Sequence, residues 1–539
     1  MKNKVRILSV VSLMFVLLAF LSSNVNADCS NINYGKDATV DGSVIVAGAQ
    51  EGWCDPNIVI IPGQTFAAGE MAPVYLNRFT NTSVPNYPII KVGEIPQVES
   101  TYTYFHSGFP FMNEHQVIIS DELLVCREEL VNTNGIMDTD QLMVFALQRG
   151  KTAREAIMIA GSLAEKYGYS ANYGGPEAWS VTDPNEAWWF EVFGGGADWT
   201  PDCGRPGAVW VAQRVPDDHV SFNFNRSRIG EIDLDNKEYF MGSPNVYSLA
   251  EEMGWWDSKS DKPFIWYEVY ADGKSLIGSN PDPTIELREW RFISLVAPSL
   301  NPDPKQKRWP FSIKPDKKLS VQDIMAIQKD VYEGTEFDQT KGLAAGPWGS
   351  PDRSGGLIGG VPRTISHKST TYHLVAQARN WLPDPIGGLM WLGYDKAVTS
   401  VQMPLYCGVT KVPDSWLNQT RDKFDRNGSA VWAFNFVSNF ANLNYSYMIE
   451  DIREARRYLM DDMFAMQPTI EATALELYKK DPALAVRYLT DYVVSTGDKV
   501  VKYWWELADK LIVKYNDGGI MGETSPVYPD WWLEAIKTK

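Results

Sequence analysis

The position of Cys29 constrains this chain more than any other feature of it. Lys2, Lys4 and Arg6 form a basic start, Ile7–Leu21 is an apolar run, and Val25-Asn26-Ala27 is a small-residue exit. That order is the anatomy of a secretory signal, removed in the mature protein. The apolar run is shorter than the roughly 20 residues of a membrane span. Cleavage after Ala27 leaves Asp28-Cys29, so loss of one further residue makes Cys29 the new N-terminus. A terminal cysteine carries a thiol nucleophile and a free α-amine, its general base, on one residue. Three other readings compete. Lipoprotein signals want a small residue before the cysteine, and Asp28 is charged. A disulfide is the usual fate of a cysteine in an exported chain, and a disordered tail is the third. Position alone favours the disulfide.

The 539 residues suffice for a large core or for several domains. The formal charge is −17, and losing residues 1–28, with three basic and one acidic side chain, makes it −19. Such a chain repels phosphate backbones and anionic membranes, which excludes ordinary nucleic-acid binding. The 20 Trp, 25 Tyr and 22 Phe fit either a large core or an aromatic cleft. Five cysteines (Cys29, Cys54, Cys126, Cys203 and Cys407) are an odd number, which suggests one free thiol. Cys126 reads as a core residue, whereas Cys54 and Cys203 lie in Gly/Pro/Asp-rich loops and are the first pair to suspect of bridging.

No tandem repeat is visible. Residues 30–50 read as strand, Asp41-Gly42 turn, strand. Asn57–Ile61 and His115–Ser120 read as short strands. Thr152-Ala-Arg-Glu155 is a capping box that opens a helix closed by Gly168. Residues 186–193 and 207–215 read as a hairpin. From about 233 to 365 the chain is rich in Pro, Asp, Gly and Trp and shows few elements. Thr371–Ala378, Gly388–Gly393 and Ser400–Pro404 read as strands. From about 449 to 516 the pattern is helical, with Pro468 and Pro482 as breaks. Strands around a capped helix, followed by a helical tail, imply an α+β fold.

Other catalytic signatures are missing. The five histidines form no HExxH, and no cysteine pair has zinc-finger spacing. There is no GxSxG elbow and no Walker loop. Carboxylate pairs are plentiful, so a glycosidase site is conceivable but cannot be located.

A set of ordered motifs resembles the N-terminal-nucleophile cysteine dipeptidases of the dipeptidase A type. Cys29 is followed by Gly35-Lys36, Ala38 and Asp41-Gly42-Ser43. Then come Asn113-Glu114-His115-Gln116-Val117, KTAREAI (151–157) with Tyr167-Gly168, and EAWWFEVFG (186–194) with Trp210. Arg214-Val215-Pro216-Asp217-Asp218, Asn225, Arg228-Ile229-Gly230 and STTYHLVAQARNWLPDPIGGLMWLGYD (369–395) complete the series. The likeness runs through nearly all of the mature chain.

The resemblance implies an αββα sandwich with a C-terminal helical region. It divides the chain into a signal peptide (1–27), a one-residue propeptide (28), a hydrolase domain (29–440) and the helical region (441–539). It implies hydrolysis of dipeptides, with Cys29 as nucleophile and amine base. Asn225 matches a residue that could donate to the oxyanion, and Asn113, Glu191 and Arg228 fall in motifs that could contact substrate. The sequence departs from the family in one stretch: relatives carry an ARNDD-like run where this chain has Ala47-Gly48-Ala49-Gln50-Glu51. Gly48 thus stands where an arginine is expected.

The chemistry requires no metal or organic cofactor. The amine takes the thiol proton, the thiolate attacks the peptide carbonyl, and water resolves the acyl-enzyme. The expected protein is exported, to the periplasm or beyond, and acts on dipeptides. It uses no nucleic acid and no membrane once the signal is gone, and homo-oligomerisation is left open. An amidase on another N-acyl substrate, or an inactive binding protein on the same fold, are the alternatives.

Overall fold

The computed structural model describes residues 29–52, 54–77, 89–170, 175–271, 285–353, 362–522 and 528–537. The signal segment and Asp28 lie outside the described residues. Two antiparallel sheets dominate. The first has seven strands in the order β14 (Ser312–Ile313), β12 (Val220–Asn223), β1 (Ser30–Tyr34), β2 (Val44–Glu51), β15 (Thr370–Ala378), β16 (Leu389–Tyr394) and β17 (Met403–Tyr406). The second has eight: β13 (Phe240–Gly242), β11 (Ala208–Val215), β10 (Ala187–Gly194), β9 (Glu177–Thr182), β8 (Ile118–Leu123), β7 (Pro110–Asn113), β6 (Tyr104–His106) and β3 (Val59–Ile61). A separate ribbon pairs β4 (Met71–Leu76) with β5 (Ile90–Pro96).

The two large sheets face each other, with β1 over β8, β9 and β10 and β2 over β8 and β9. Helices α1 (Thr139–Arg149) and α2 (Ala153–Tyr167) cover the outer side of the eight-stranded sheet. Trp179, Phe190 and Trp210 alternate along β9, β10 and β11 to meet them, as period-two strands require. Thr152 caps α2 by accepting from the Glu155 amide. Glu155 reaches back to the Lys151 amide at 2.7 Å rather than to Thr152, so the capping box is offset by one residue. The outer side of the seven-stranded sheet is covered by α3 (Leu287–Val296), α4 (Val321–Gln328), α5 (Ala430–Ala441), α6 (Tyr445–Lys480) and α7 (Pro482–Lys514). No helix among the described residues is long and apolar enough to cross a membrane.

Three sequence expectations change. His115 and Gln116 lie in a turn, with Gln116 at φ 62°, and the strand starts only at Ile118. The quiet stretch from 233 to 365 holds α3 and α4 as well as β13 and β14. Pro468 does not break the tail: α6 runs through it, and the one break falls at Asp481-Pro482. Asp481 caps α7 and Pro482 sits at its first position, where a missing N–H costs nothing. Pro468 by contrast deletes an interior hydrogen bond, and packing of α6 along α7 outweighs that loss. Pro468→Ala should therefore stabilise the protein, by about 1–3 kcal/mol in urea denaturation, with no change in far-UV helicity.

Candidate active site

Strand β1 begins one residue after Cys29, and its alternation sets the site. Ile32 and Tyr34 belong to the core on the outer side, where the Tyr34 ring meets Phe292 of α3 edge-on at 6.3 Å. The odd residues face the other sheet and are polar. Asn31 Nδ2 donates to the Asp121 carbonyl at 2.6 Å, and Asn33 Nδ2 donates to the Trp188 carbonyl at 3.1 Å. Ser120 Oγ donates to Asn31 Oδ1 at 2.6 Å, and the Ser180 hydroxyl donates to Asn33 Oδ1. This layer is open to them because β7 pairs with β8 only at Met112–Ile118. From Ser120 onward that edge of β8 is taken by side chains of the opposite sheet.

Cys29 is buried at the end of this polar face. Its Sγ donates to Gln50 Oε1 at 2.9 Å, and Gln50 Nε2 donates to Asp121 Oδ1 at 2.7 Å. Its carbonyl accepts from Arg288 Nη1 at 3.2 Å. The same guanidinium donates to Ser30 Oγ at 3.0 Å, to the Phe224 carbonyl at 3.0 Å and to Asn225 Oδ1 at 3.2 Å. Burial opposes its charge, but Glu286, with Nε at 2.9 Å from its carboxylate, holds it protonated. At the last residue of β2, next to Gln50, buried Glu51 pairs with Arg363 and lies 3.1 Å from His367 Nδ1, while Arg421 donates to the Gly52 carbonyl at 2.6 Å. Arginines from three distant segments thus gather at the Glu51 end of a stretch that has none of its own.

Gly48 explains why none stands there. It lies opposite Asn31 in the β1–β2 pair. A Cβ at position 48 would meet Asn31 Oδ1 at 2.4 Å and Ser120 Oγ at 2.7 Å, so any side chain would break that pair of polar contacts.

The structure brings Asn225 to Cys29 through Arg288. Asn225 sits at φ 63°, which ends β12, and its backbone amide donates to Glu122 Oε1 at 2.6 Å. Its Nδ2 donates to the Leu123 carbonyl at 3.1 Å. Glu191, on β10, holds Arg228 in the loop after β12. Glu191 Oε1 accepts from the Arg228 amide at 2.7 Å, and its Oε2 accepts from Trp266 Nε1 at 2.8 Å. The Arg228 guanidinium bonds Glu289 and the Pro310 carbonyl. Asn113 ties its own turn to the end of α1: Nδ2 donates to the Leu147 and Gly150 carbonyls, and Oδ1 accepts from the 115 and 117 amides. Among these four, only Asn225 shares a partner with Cys29.

Sequence reading missed Gln50, Asp121, Glu122 and Arg288 as members of the site. It also missed Asn223, opposite Asn31 in the β1–β12 pair, whose buried Nδ2 has no partner among the described residues. The suspected Cys54–Cys203 bridge is absent: Cys54 is buried with Sγ on the Glu51 carbonyl at 3.2 Å, Cys203 is exposed, and all five cysteines are free.

The electrostatics are those of a buried acidic pocket. Burial pushes the Cys29 thiol well above its ordinary value, and Asp121, Cys54, Glu122 and Glu177 push it further. Burial raises Asp121 to about 7, against the hydrogen bond from Gln50. Burial likewise raises Glu122, although Arg288 opposes it, and raises Glu177 with help from Asp121 and Glu122.

The profile of Peptidase family C69 matches residues 28–457, so its match opens at the residue before Cys29. The chain belongs to that family. It is 23% identical to dipeptidase A of Lactobacillus helveticus over 514 residues, covering 91% of this chain and 97% of that one. It is 24% identical to probable dipeptidase B of Lactococcus lactis over 506 residues, covering 90% and 95%.

Two outcomes follow from the packing and the charges. Gly48→Ala should cost about 1–3 kcal/mol in urea denaturation through overpacking. Gly48→Arg should lower stability further instead of improving activity. Asp121 holds a proton in the fold up to about pH 7, whereas an unfolded aspartate releases it near pH ~3.9. Stability is therefore drawn down as pH rises between those values. Asp121→Asn should be more stable than the parent at pH 8 and equal to it below pH ~4, read from denaturation midpoints.

Proposed function

We propose that this protein is an exported cysteine dipeptidase whose mature chain begins at Cys29. It acts as an N-terminal nucleophile on an Ntn-hydrolase αββα sandwich. Supporting the fold, two antiparallel sheets face each other with helices outside both. Supporting the substrate, the relatives that align over nearly their whole length are named dipeptidases. The observation that carries the reading is the placement of Cys29. It stands at the start of β1, its thiol turned into the polar layer and its carbonyl held by Arg288.

While Cys29 is joined to Asp28, its nitrogen is an amide and has no basicity. Release of Asp28 turns it into an amine with an ordinary pKa of about 7.7–8.0, which is partly unprotonated near neutrality. The amine takes the thiol proton, and the thiolate adds to the carbonyl carbon of the dipeptide. The tetrahedral oxyanion needs donors already in place. Asn225 supplies one: its Oδ1 is fixed by Arg288 and one N–H by Leu123, which leaves the other N–H for the oxyanion. The protonated amine then gives its proton to the departing amino group. The same amine activates the water that hydrolyses the thioester.

Intact mass of active protein should correspond to a chain that starts at Cys29, and Cys29→Ala should be folded and inactive on dipeptides. Active protein that retains Asp28 would overturn the terminal-amine mechanism. Thiol alkylation should abolish activity and chelators should not. Asn225→Ala should lower kcat by roughly 100-fold with a smaller change in KM. Unchanged kcat with a lowered melting temperature would make Asn225 scaffolding.

A further inference from the structure

Gln50 lies between the nucleophile of the site and a buried carboxylate. Its side chain has one acceptor end and one donor end, and both are used. Asp121 Oδ1 at 2.7 Å claims the donor end, Nε2. The acceptor end, Oε1, is therefore turned to Cys29 Sγ at 2.9 Å. A carboxamide oxygen so placed accepts from a thiol and repels a thiolate. It is also too weak a base to take the proton itself.

We propose that Gln50 is a positioning residue that couples the charge on Asp121 to the protonation state of Cys29. The proposal rests on Cys29 as nucleophile and adds the group that sets its reactivity. With Asp121 ionised, Gln50 presents Oε1 and holds Cys29 as a neutral thiol. With Asp121 protonated, its carboxyl O–H donates to Oε1, the carboxamide turns over, and Nε2 donates to the thiolate. The thiol proton goes to the α-amine of the mature chain, and the proton on Asp121 comes from solvent.

The groups around the pair are consistent with such a role. Asp121 and Glu122 come from β8, Glu177 from β9, Cys54 from the segment after β2, Tyr372 from β15 and Arg288 from α3. Arg288 is saturated by Glu286, Cys29, Ser30, Phe224 and Asn225. Among the described residues, the side chain hydrogen-bonded to the Cys29 sulfur is Gln50. Asp121 in turn has a value of about 7, so its charge changes in the range where the enzyme would work.

The experiment is a double-mutant cycle on the mature protein, read as the rate of Cys29 alkylation by iodoacetamide between pH 5 and 10. Wild type, Asp121→Asn, Gln50→Leu and the double variant are compared, with the alkylated residue confirmed by mass. Asp121→Asn should lower the pH of half-maximal alkylation by about one or more. The carboxamide that this substitution introduces can donate to Oε1 and release Nε2 to the sulfur. In the Gln50→Leu background the same change should have less than about a third of that effect. On a dipeptide, kcat should follow the alkylation profile while KM stays put. An equal shift in both backgrounds would overturn the inference, since Asp121 would then act by charge through space and Gln50 would be filler. Should Gln50→Leu not fold, Gln50→Met serves with the same two outcomes. Alkylation reads the thiol directly. Failure of the nucleophile assignment would show separately, as hydrolysis that survives complete alkylation of Cys29.

Discussion

The site hangs on one buried guanidinium. Arg288 bridges the residue before β1 and the residues after β12, bonding Cys29, Ser30, Phe224 and Asn225 at once. Burying such a cation costs several kcal/mol unless every donor is met and a counter-charge lies close. Glu286 two residues earlier supplies the counter-charge, and the strand ends supply the acceptors. The ladder between β1 and β12 ends at Asn31–Asn223, and without the guanidinium the strand ends beyond it would lose the side chain that ties them together. Cys29 and Asn225 would then be less firmly held against each other, and for groups that must be oriented a displacement of an ångström is enough to lose much of the benefit.

The second constraint is the polar layer between the sheets. Facing sheets ordinarily close on apolar side chains. Along β1 the contact is made by Asn31, Asn33, Ser120 and Ser180 instead, each bonded. Such a layer is worth having only if fully satisfied, and it then fixes register. Gly48 belongs to the same device. Its missing side chain is what lets Asn31 and Ser120 meet over β2. The absence of a side chain at this position is thus tied to the packing of the layer, and positive charge reaches the site from Arg288 and Arg363.

Much of this is legible in the sequence where one local rule governs one element. The hairpin of β10 and β11 and the helix opened by Thr152 follow from alternation and capping. What is not legible depends on partners far away in the chain. Arg288 stands 259 residues from Cys29, in LREWRFISLV, among 50 basic residues that look alike on paper. Gln50 stands out in the sequence only as part of a stretch that departs from the family. Its role appears when Asp121, 71 residues on, claims its donor end. Pro468 reads as a break for the same reason, because a rule about isolated helices yields to a second helix packed along the first.

The acidity of the pocket has a consequence for when the enzyme can act. Cys29, Asp121, Glu122 and Glu177 crowd together, and Arg288 opposes the burial of charge on Glu122. Burial and these carboxylates together disfavour the Cys29 thiolate. Cleavage before Cys29 would change the balance on that very residue, by placing an amine that is partly cationic near neutrality within two bonds of the Cβ. A nearby positive charge favours a thiolate, and the neutral fraction of the same amine can accept the proton. On the maturation proposed above, burial among carboxylates would act as a safeguard: it would suppress the thiol until the chain is cut, and the cut itself would supply both the counter-charge and the base.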